Sequence, residues 1–413
     1  MVARTLTPPE ASRSLLGRVE ALVFVTVFLD LVGFGIVIPL LPFYVQSMGG
    51  SARTVGVLLG CFSFTQLLAT PVLGRFSDRY GRRPIILFSL AANAVAMGLF
   101  ALASYERMLP LLFASRILAG ATAGNLAACQ ASLADISTAD TRARAMGRVG
   151  AGIGLGLVLG PMIGGMFSQW GAWLPPLAAG ALALLGSLGV LVAMPETHPP
   201  SARSTSKPRS RMSVLRESPR PRALKIVLLL YFLVFLAMTT LQVALALLAQ
   251  ARFGWEAKEV GYVFAMQGGL GLLIQGVLIG PLSKAVGEVR LLVLGTLLLS
   301  AGMLGVSLAE HPLALVGALA MLGTGLGFTQ PLISSLASQA ANPSLQGLTL
   351  GLAQSSGGLA RTVGPVASGA LYSSLGTSAP FAAGALVALI ASALGALLKH
   401  EGLGKQRPPP GAG

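Results

Sequence analysis

Asp30 lies in the middle of an apolar run from Ala21 to Val45, and no other acidic residue sits so deep in any apolar stretch, Asp135 standing at the end of its own. An ionised carboxylate in such surroundings is costly, and embedded acids that face a cavity or partner mark proton or ion pathways. The chemistry on offer is the loading and release of a proton. Only two cations, Arg116 and Arg361, share the apolar interior. One of them is a natural counter-charge for the acid.

Nothing else in the chain is equipped for bond-making. Covalent catalysis needs a nucleophile beside a base, or carboxylates in pairs, and a structural zinc site takes about four Cys or His ligands. His198, His311 and His400 all lie in polar stretches, while Cys61 and Cys129 lie in apolar runs, where cysteine behaves as a small hydrophobe. The chain is expected to be no enzyme, to hold no metal or cofactor and to have no disulfide framework.

The elements that position these residues must be membrane helices. Of 413 residues, 54% are hydrophobic and 10% charged, against ~25% charged in a soluble domain. A ~30 Å hydrocarbon core takes ~20 apolar residues per crossing. Gly, Pro and charged residues divide the chain into twelve such segments, 20–45, 54–73, 84–104, 108–133, 145–168 and 173–194, then 224–250, 259–280, 289–308, 312–336, 346–371 and 378–398. The Pro-, Ser- and Arg-rich stretch 195–222 reads as a solvated spacer between the two sets. Two spacings relate the halves: Gly74 recurs as Gly280, 206 residues on, and Gly160-Pro161 with Gly164-Gly165 recurs as Gly364-Pro365 with Ser368-Gly369, 204 on. The expected fold is all-α and integral to the membrane, with twelve transmembrane helices in two pseudo-symmetric six-helix bundles, 1–194 and 223–413, joined by a basic cytoplasmic linker at 195–222 and ending in a short cytoplasmic tail.

A net charge of +15 would point to nucleic acid in a soluble protein. Here it reports topology. With both termini cytoplasmic, 23 of the 29 Lys and Arg fall on that side and four outside, the other two being Arg116 and Arg361, as the positive-inside rule requires. The chain is therefore expected to be a multi-pass protein of the cell membrane, with the bilayer and a small molecule as partners and no nucleic acid. In that orientation Asp30 stands roughly 15 Å from the inner end of its helix and Arg116 roughly 10 Å from the outer end of the fourth. A long side chain can bridge these depths, so Asp30 and Arg116 are the expected proton-coupling pair, joined or parted by the proton on the acid.

The most specific string joins the second and third segments, Gly74-Arg75-Phe76-Ser77-Asp78-Arg79-Tyr80-Gly81-Arg82-Arg83-Pro84. It resembles the signature loop of the major facilitator superfamily. The resemblance assigns a conformational latch to Gly74, Asp78, Arg79, Gly81, Arg82 and Arg83. The fifth segment carries Gly147, Gly156, Gly160, Pro161, Gly164 and Gly165, similar to the motif associated with that superfamily's proton-coupled antiporters. By residue chemistry alone, Gly152, Gly156, Gly160 and Gly164 form a side-chain-free stripe on which another helix can lie closely, and Pro161 permits a bend. Ser115-Arg116-Ile117-Leu118-Ala119-Gly120 resembles the superfamily's fourth-span motif, whose arginine the resemblance ties to proton coupling.

Together with the first-span string from Asp30 to Pro39, these motifs resemble the tetracycline-resistance-like branch of the drug:proton antiporters. That resemblance implies a proton-coupled secondary transporter, a monomer powered by the proton gradient, that exports small amphipathic drug-like compounds by alternating access. The alternative on the same fold is a metabolite or organic-anion transporter, by symport or facilitated passage, with Arg116 or Arg361 on an anionic substrate. Asn125, Gln242, Gln267, Gln330, Gln354 and Arg361 are polar at membrane depth and are the expected cavity lining. The second half places Lys284 where the first has Asp78 and lacks the membrane histidine and extra acids that the resemblance associates with tetracycline export, which points to another substrate.

Overall fold

The computed structural model describes residues 8–198, 214, 216–342 and 345–403. Most of the expected basic linker, any lipid contact it makes, and the tail from 404 onward lie outside these residues. Among the described residues all regular structure is helical, and the α-helices in chain order are α1 (Pro8–Val37), α2 (Leu41–Ser47), α3 (Ala52–Tyr80), α4 (Arg82–Glu106), α5 (Leu109–Ala121), α6 (Asn125–Ile136), α7 (Ala139–Phe167), α8 (Leu174–Ala193), α9 (Pro221–Thr240), α10 (Ala246–Phe253), α11 (Ala257–Leu273), α12 (Ile279–Val286), α13 (Glu288–Leu308), α14 (Pro312–Ala340), α15 (Gln346–Leu375) and α16 (Ala379–Leu397).

Eleven helical segments among the described residues are long and apolar enough to cross a membrane, several of them made of two consecutive helices. A twelfth, α15, has the length at 30 residues, but its Gly, Ser, Thr and Arg361 dilute its hydropathy. Many large apolar side chains face outward, among them Val95, Leu185, Val192, Leu313 and Leu386. Lipid tolerates this and water does not. The protein is a multi-pass, all-helical membrane protein.

The helices form two compact units, residues 1–40 with 65–206 and residues 41–64 with 207–413. In the first, Val19, Val23 and Val27 of α1 bury against Ile86 and Leu90 of α4, Leu133 of α6 and Val149 of α7. In the second, Val227 and Leu230 of α9 share a core with Leu292 and Leu299 of α13, Leu319 and Leu322 of α14, and Phe381 of α16. Residues 41–64 belong with the second unit because two glycines let the first half of α3 lie directly on α15. A Cβ at Gly56 would run into the Pro365 carbonyl, and one at Gly60 would stand 2.8 Å from Val366 Cγ2.

The α7 stripe does the same for α1. A Cβ at Gly156 would lie 2.6 Å from Leu31 Cβ, one at Gly160 2.6 Å from the Val32 carbonyl oxygen, and one at Gly164 would collide with the Ile36 carbonyl. Before Asp30, a Cβ at Gly152 would lie 3.2 Å from the Phe24 carbonyl oxygen, so the stripe holds α1 closely on both sides of that acid. Gly147 differs, having nothing within 4 Å of its would-be Cβ. Gly160→Ala is therefore expected to cost about 1–3 kcal/mol by overpacking, whereas Gly147→Ala should be neutral or slightly stabilising through helix propensity. Thermal melting of the two purified variants beside wild type measures the difference.

The internal repeat extends to the backbone. Gly81 (φ 113°) alone separates α3 from α4, and Gly287 (φ 89°) alone separates α12 from α13. Both conformations disfavour any side chain. The second unit adds two wide π-helical turns, Leu241–Leu245 after α9 and Ile274–Leu278 after α11, a feature that recurs at functional sites.

Candidate functional site

Asp30 projects from α1 towards two amides. Asn93 Nδ2, on α4, donates to Asp30 Oδ1 over a long 3.4 Å. Asn125 also faces the carboxyl, while its Nδ2 is buried with no partner at hydrogen-bonding distance. An amide carries donors and an acceptor, so the pair can serve a carboxylate through N–H or, turned over, accept the proton of a carboxylic acid. A carboxyl in this setting is provided for in both protonation states.

Asn125 reaches this position because the fourth span is two helices. The chain is non-helical at 122–124, and α6 begins at Asn125. Gly124 backs onto α3, where a Cβ would stand 2.7 Å from Leu73 Cδ1. Interrupted helices of this kind are tolerated at membrane depth only where they are packed in protein or line a cavity. Arg116 sits on α5 with its guanidinium 4.6 Å from the Phe100 ring centroid and Nη2 3.4 Å from Met97 Sδ. The hydrogen-bonding neighbours of Asp30 are thus amides, and an aromatic ring and a thioether hold the guanidinium. Nearer the start of α1, buried Glu20 pairs with Arg148 of α7.

The signature-loop residues converge on Arg82. Its Nη1 pairs with Asp78 at 2.5 Å and bonds Ser77 Oγ at 3.2 Å, while Nε donates to Asp135 of α6 at 2.9 Å. Glu196, beyond α8, accepts the backbone N–H groups of Arg82 at 2.9 Å and Arg83 at 3.2 Å. Those are orphan donors at the positive end of α4. Arg83 Nη2 donates to the Leu191 carbonyl at 2.5 Å, and His198 Nδ1 stands 3.6 Å from Asp135. Gly74, Asp78 and Arg82 also line a cleft of about 160 Å³ with Gly124 and Ala128. Arg79 instead lies over the Tyr80 ring. Glu196→Ala is expected to cost about 1–2 kcal/mol, the loss of a helix cap, with Glu196→Gln retaining part of it; melting curves of the two variants check this. Sequence reasoning missed Asn93, Glu196 and the role of His198, whose partners are remote in the chain.

In the second unit Gln267 Nε2 donates to the Leu319 carbonyl at 3.4 Å and Gln330 Nε2 approaches Met238 Sδ at 3.4 Å, so both connect helices. Gln242 falls in the first π turn and Gln354 is exposed. Arg361 lies over Phe235, 4.9 Å from its centroid.

Known proteins share this plan. The Major Facilitator Superfamily model matches the chain twice, over residues 23–228 and 227–413, one match for each half of the repeat. The class C tetracycline resistance protein of Escherichia coli is 31% identical over 353 residues, 84% of this chain and 88% of that protein. Multidrug resistance protein 2 of Bacillus subtilis is 28% identical over 271 residues, 64% of this chain and 67% of that one. Among solved structures, the human organic anion transporter MFSD10 superposes with a TM-score of 0.72 at 26% identity, covering 92% of this chain and 99% of the other.

Proposed function

Since the chain belongs to the Major Facilitator Superfamily, a family of transporters, we propose that it is a proton-coupled secondary transporter that exports small amphipathic organic compounds by alternating access. The observation that carries this is Asp30: an acid deep in a span, bracketed by glycine contacts and faced by two amides suited to either protonation state. Arg116, buried in α5, supplies positive charge to the same bundle, and proton occupancy of Asp30 selects which conformation is favoured. The cluster centred on Arg82 is the latch that stabilises one of those conformations. The proton gradient is the energy source, both termini are cytoplasmic, and the protein works in the cell membrane as a monomer. The tetracycline and multidrug resistance relatives support export.

Reconstituted protein in vesicles loaded with a pH-sensitive dye tests the proposal. Adding a panel of amphipathic compounds should move protons only in protein-containing vesicles and only with the compounds transported. Saturable flux with no accompanying proton movement would overturn the coupling. A second reading, transport of organic anions, is favoured by the setting of Arg361 and by the likeness to MFSD10.

A further inference from the structure

The second unit holds a cation that no described residue answers with a hydrogen bond or an opposite charge. Arg361 stands near the middle of the 30-residue α15, half-buried, and makes no hydrogen bond or ion pair with any described residue. The acids of that unit, Glu217, Glu256, Glu259, Glu288, Glu310 and Glu401, all lie at helix ends or between helices. An unpaired guanidinium at mid-span is retained at a cost, which is expected of a functional group and not of a structural one.

Its surroundings define what would pair with it. Phe235 holds one face of the guanidinium and itself stacks on Tyr231, with centroids 5.7 Å apart and planes 11° from parallel. The Tyr231 hydroxyl is 2.6 Å from Ser334 Oγ. Gly357, one turn before Arg361, makes room for the ring, since a Cβ there would stand 3.0 Å from Phe235 Cδ2. With one face stacked, the five N–H donors remain in the plane for a bidentate oxyanion. The unit's other described cations lie near helix ends, so a single anionic charge is matched and a dianion would carry surplus charge. The aromatic pair offers a flat apolar flank for the rest of the ligand.

We propose that Arg361, Phe235, Tyr231 and Ser334 form a subsite for the carboxylate of an amphipathic monoanion with an aromatic or similarly flat apolar body. The inference rests on the transporter reading for its purpose, but its test does not depend on proton coupling. Equilibrium binding to the full-length protein in nanodiscs, corrected with empty discs, would use three probes sharing one ring system: 2-naphthoate, neutral 2-naphthamide and the 2-naphthylmethylammonium cation. Naphthoate should bind saturably and tightest. Arg361→Gln should weaken it about 10- to 100-fold, the worth of a charge-assisted hydrogen bond, without changing amide binding. Arg361→Lys should keep part of the affinity. If Arg361→Gln does not fold, Arg361→Lys and Phe235→Leu decide the matter, each expected to weaken naphthoate severalfold. Absence of saturable naphthoate binding, equal or tighter binding of either other probe, or variants that bind naphthoate as wild type does would overturn the subsite. Arg361-dependent naphthoate binding without proton-coupled flux would refute the exporter and leave the subsite standing; proton-coupled flux of neutral and cationic compounds with no Arg361-dependent naphthoate binding would do the reverse.

Discussion

Asp30→Asn is expected to abolish proton-driven accumulation of substrate while leaving counterflow exchange at equal pH intact. One pH unit corresponds to about 1.4 kcal/mol per proton, so each coupled proton sustains roughly a tenfold concentration ratio per unit of gradient. Across two units the wild type should approach a ~100-fold ratio for one proton, and the variant a ratio near one. The side chain is nearly isosteric, so packing between α1 and α7 should survive. What changes is chemical: an amide cannot exchange a proton at accessible pH, and the group facing Asn93 and Asn125 becomes a permanently neutral donor and acceptor. Counterflow needs only the conformational cycle with substrate bound. Loss of both activities would mean that Asp30 holds the fold or the substrate. A melting curve and ligand binding by the variant separate those outcomes.

The second large effect is on stability. Arg82 is buried at 8% exposure and joins Asp78, Ser77 and Asp135. Removing it, as in Arg82→Met, strands Asp135, whose side chain is 20% exposed and which keeps His198 at 3.6 Å. Breaking a buried pair from one side costs about 3–5 kcal/mol. The two acids should not contribute equally. Asp78 is 65% exposed and solvated, so its pairing with Arg82 is worth at most about 1 kcal/mol. Arg82→Lys is expected to recover little, because Nε and Nη1 serve different acids and one ammonium cannot span both. Double-mutant cycles read by thermal melting should give a larger coupling for 82 with 135 than for 82 with 78. The reverse order would place the weight of the cluster on the signature loop alone.

Much of this was legible in the chain. The α7 stripe announced itself by its four-residue period, and its partner is the helix that carries Asp30. The repeat predicted by Gly74 and Gly280 proved to include Gly81 and Gly287, two positions where the backbone itself demands glycine. Other features left no local trace. The bond from Arg82 to Glu196 spans 114 residues, beyond any periodicity, and Asn93 is one polar residue on a helix with no motif around it. The fourth span breaks at 122–124 without a proline, because Gly124 packs on Leu73 and Asn125 turns towards Asp30, and neither contact is encoded nearby. Gly56 and Gly60 have no flanking motif, and their part in packing comes from Pro365 and Val366 on α15, about 300 residues away in the chain.

The most direct test of the central claim is the release of protons on ligand binding. Purified protein in weakly buffered solution would be titrated with a transported compound identified in the vesicle assay, and the pH change recorded for wild type and for Asp30→Asn. Proton release by the wild type and none by the variant, with ligand binding retained in both, is the predicted result. Equal release by both proteins would contradict the assignment of the coupling proton to Asp30.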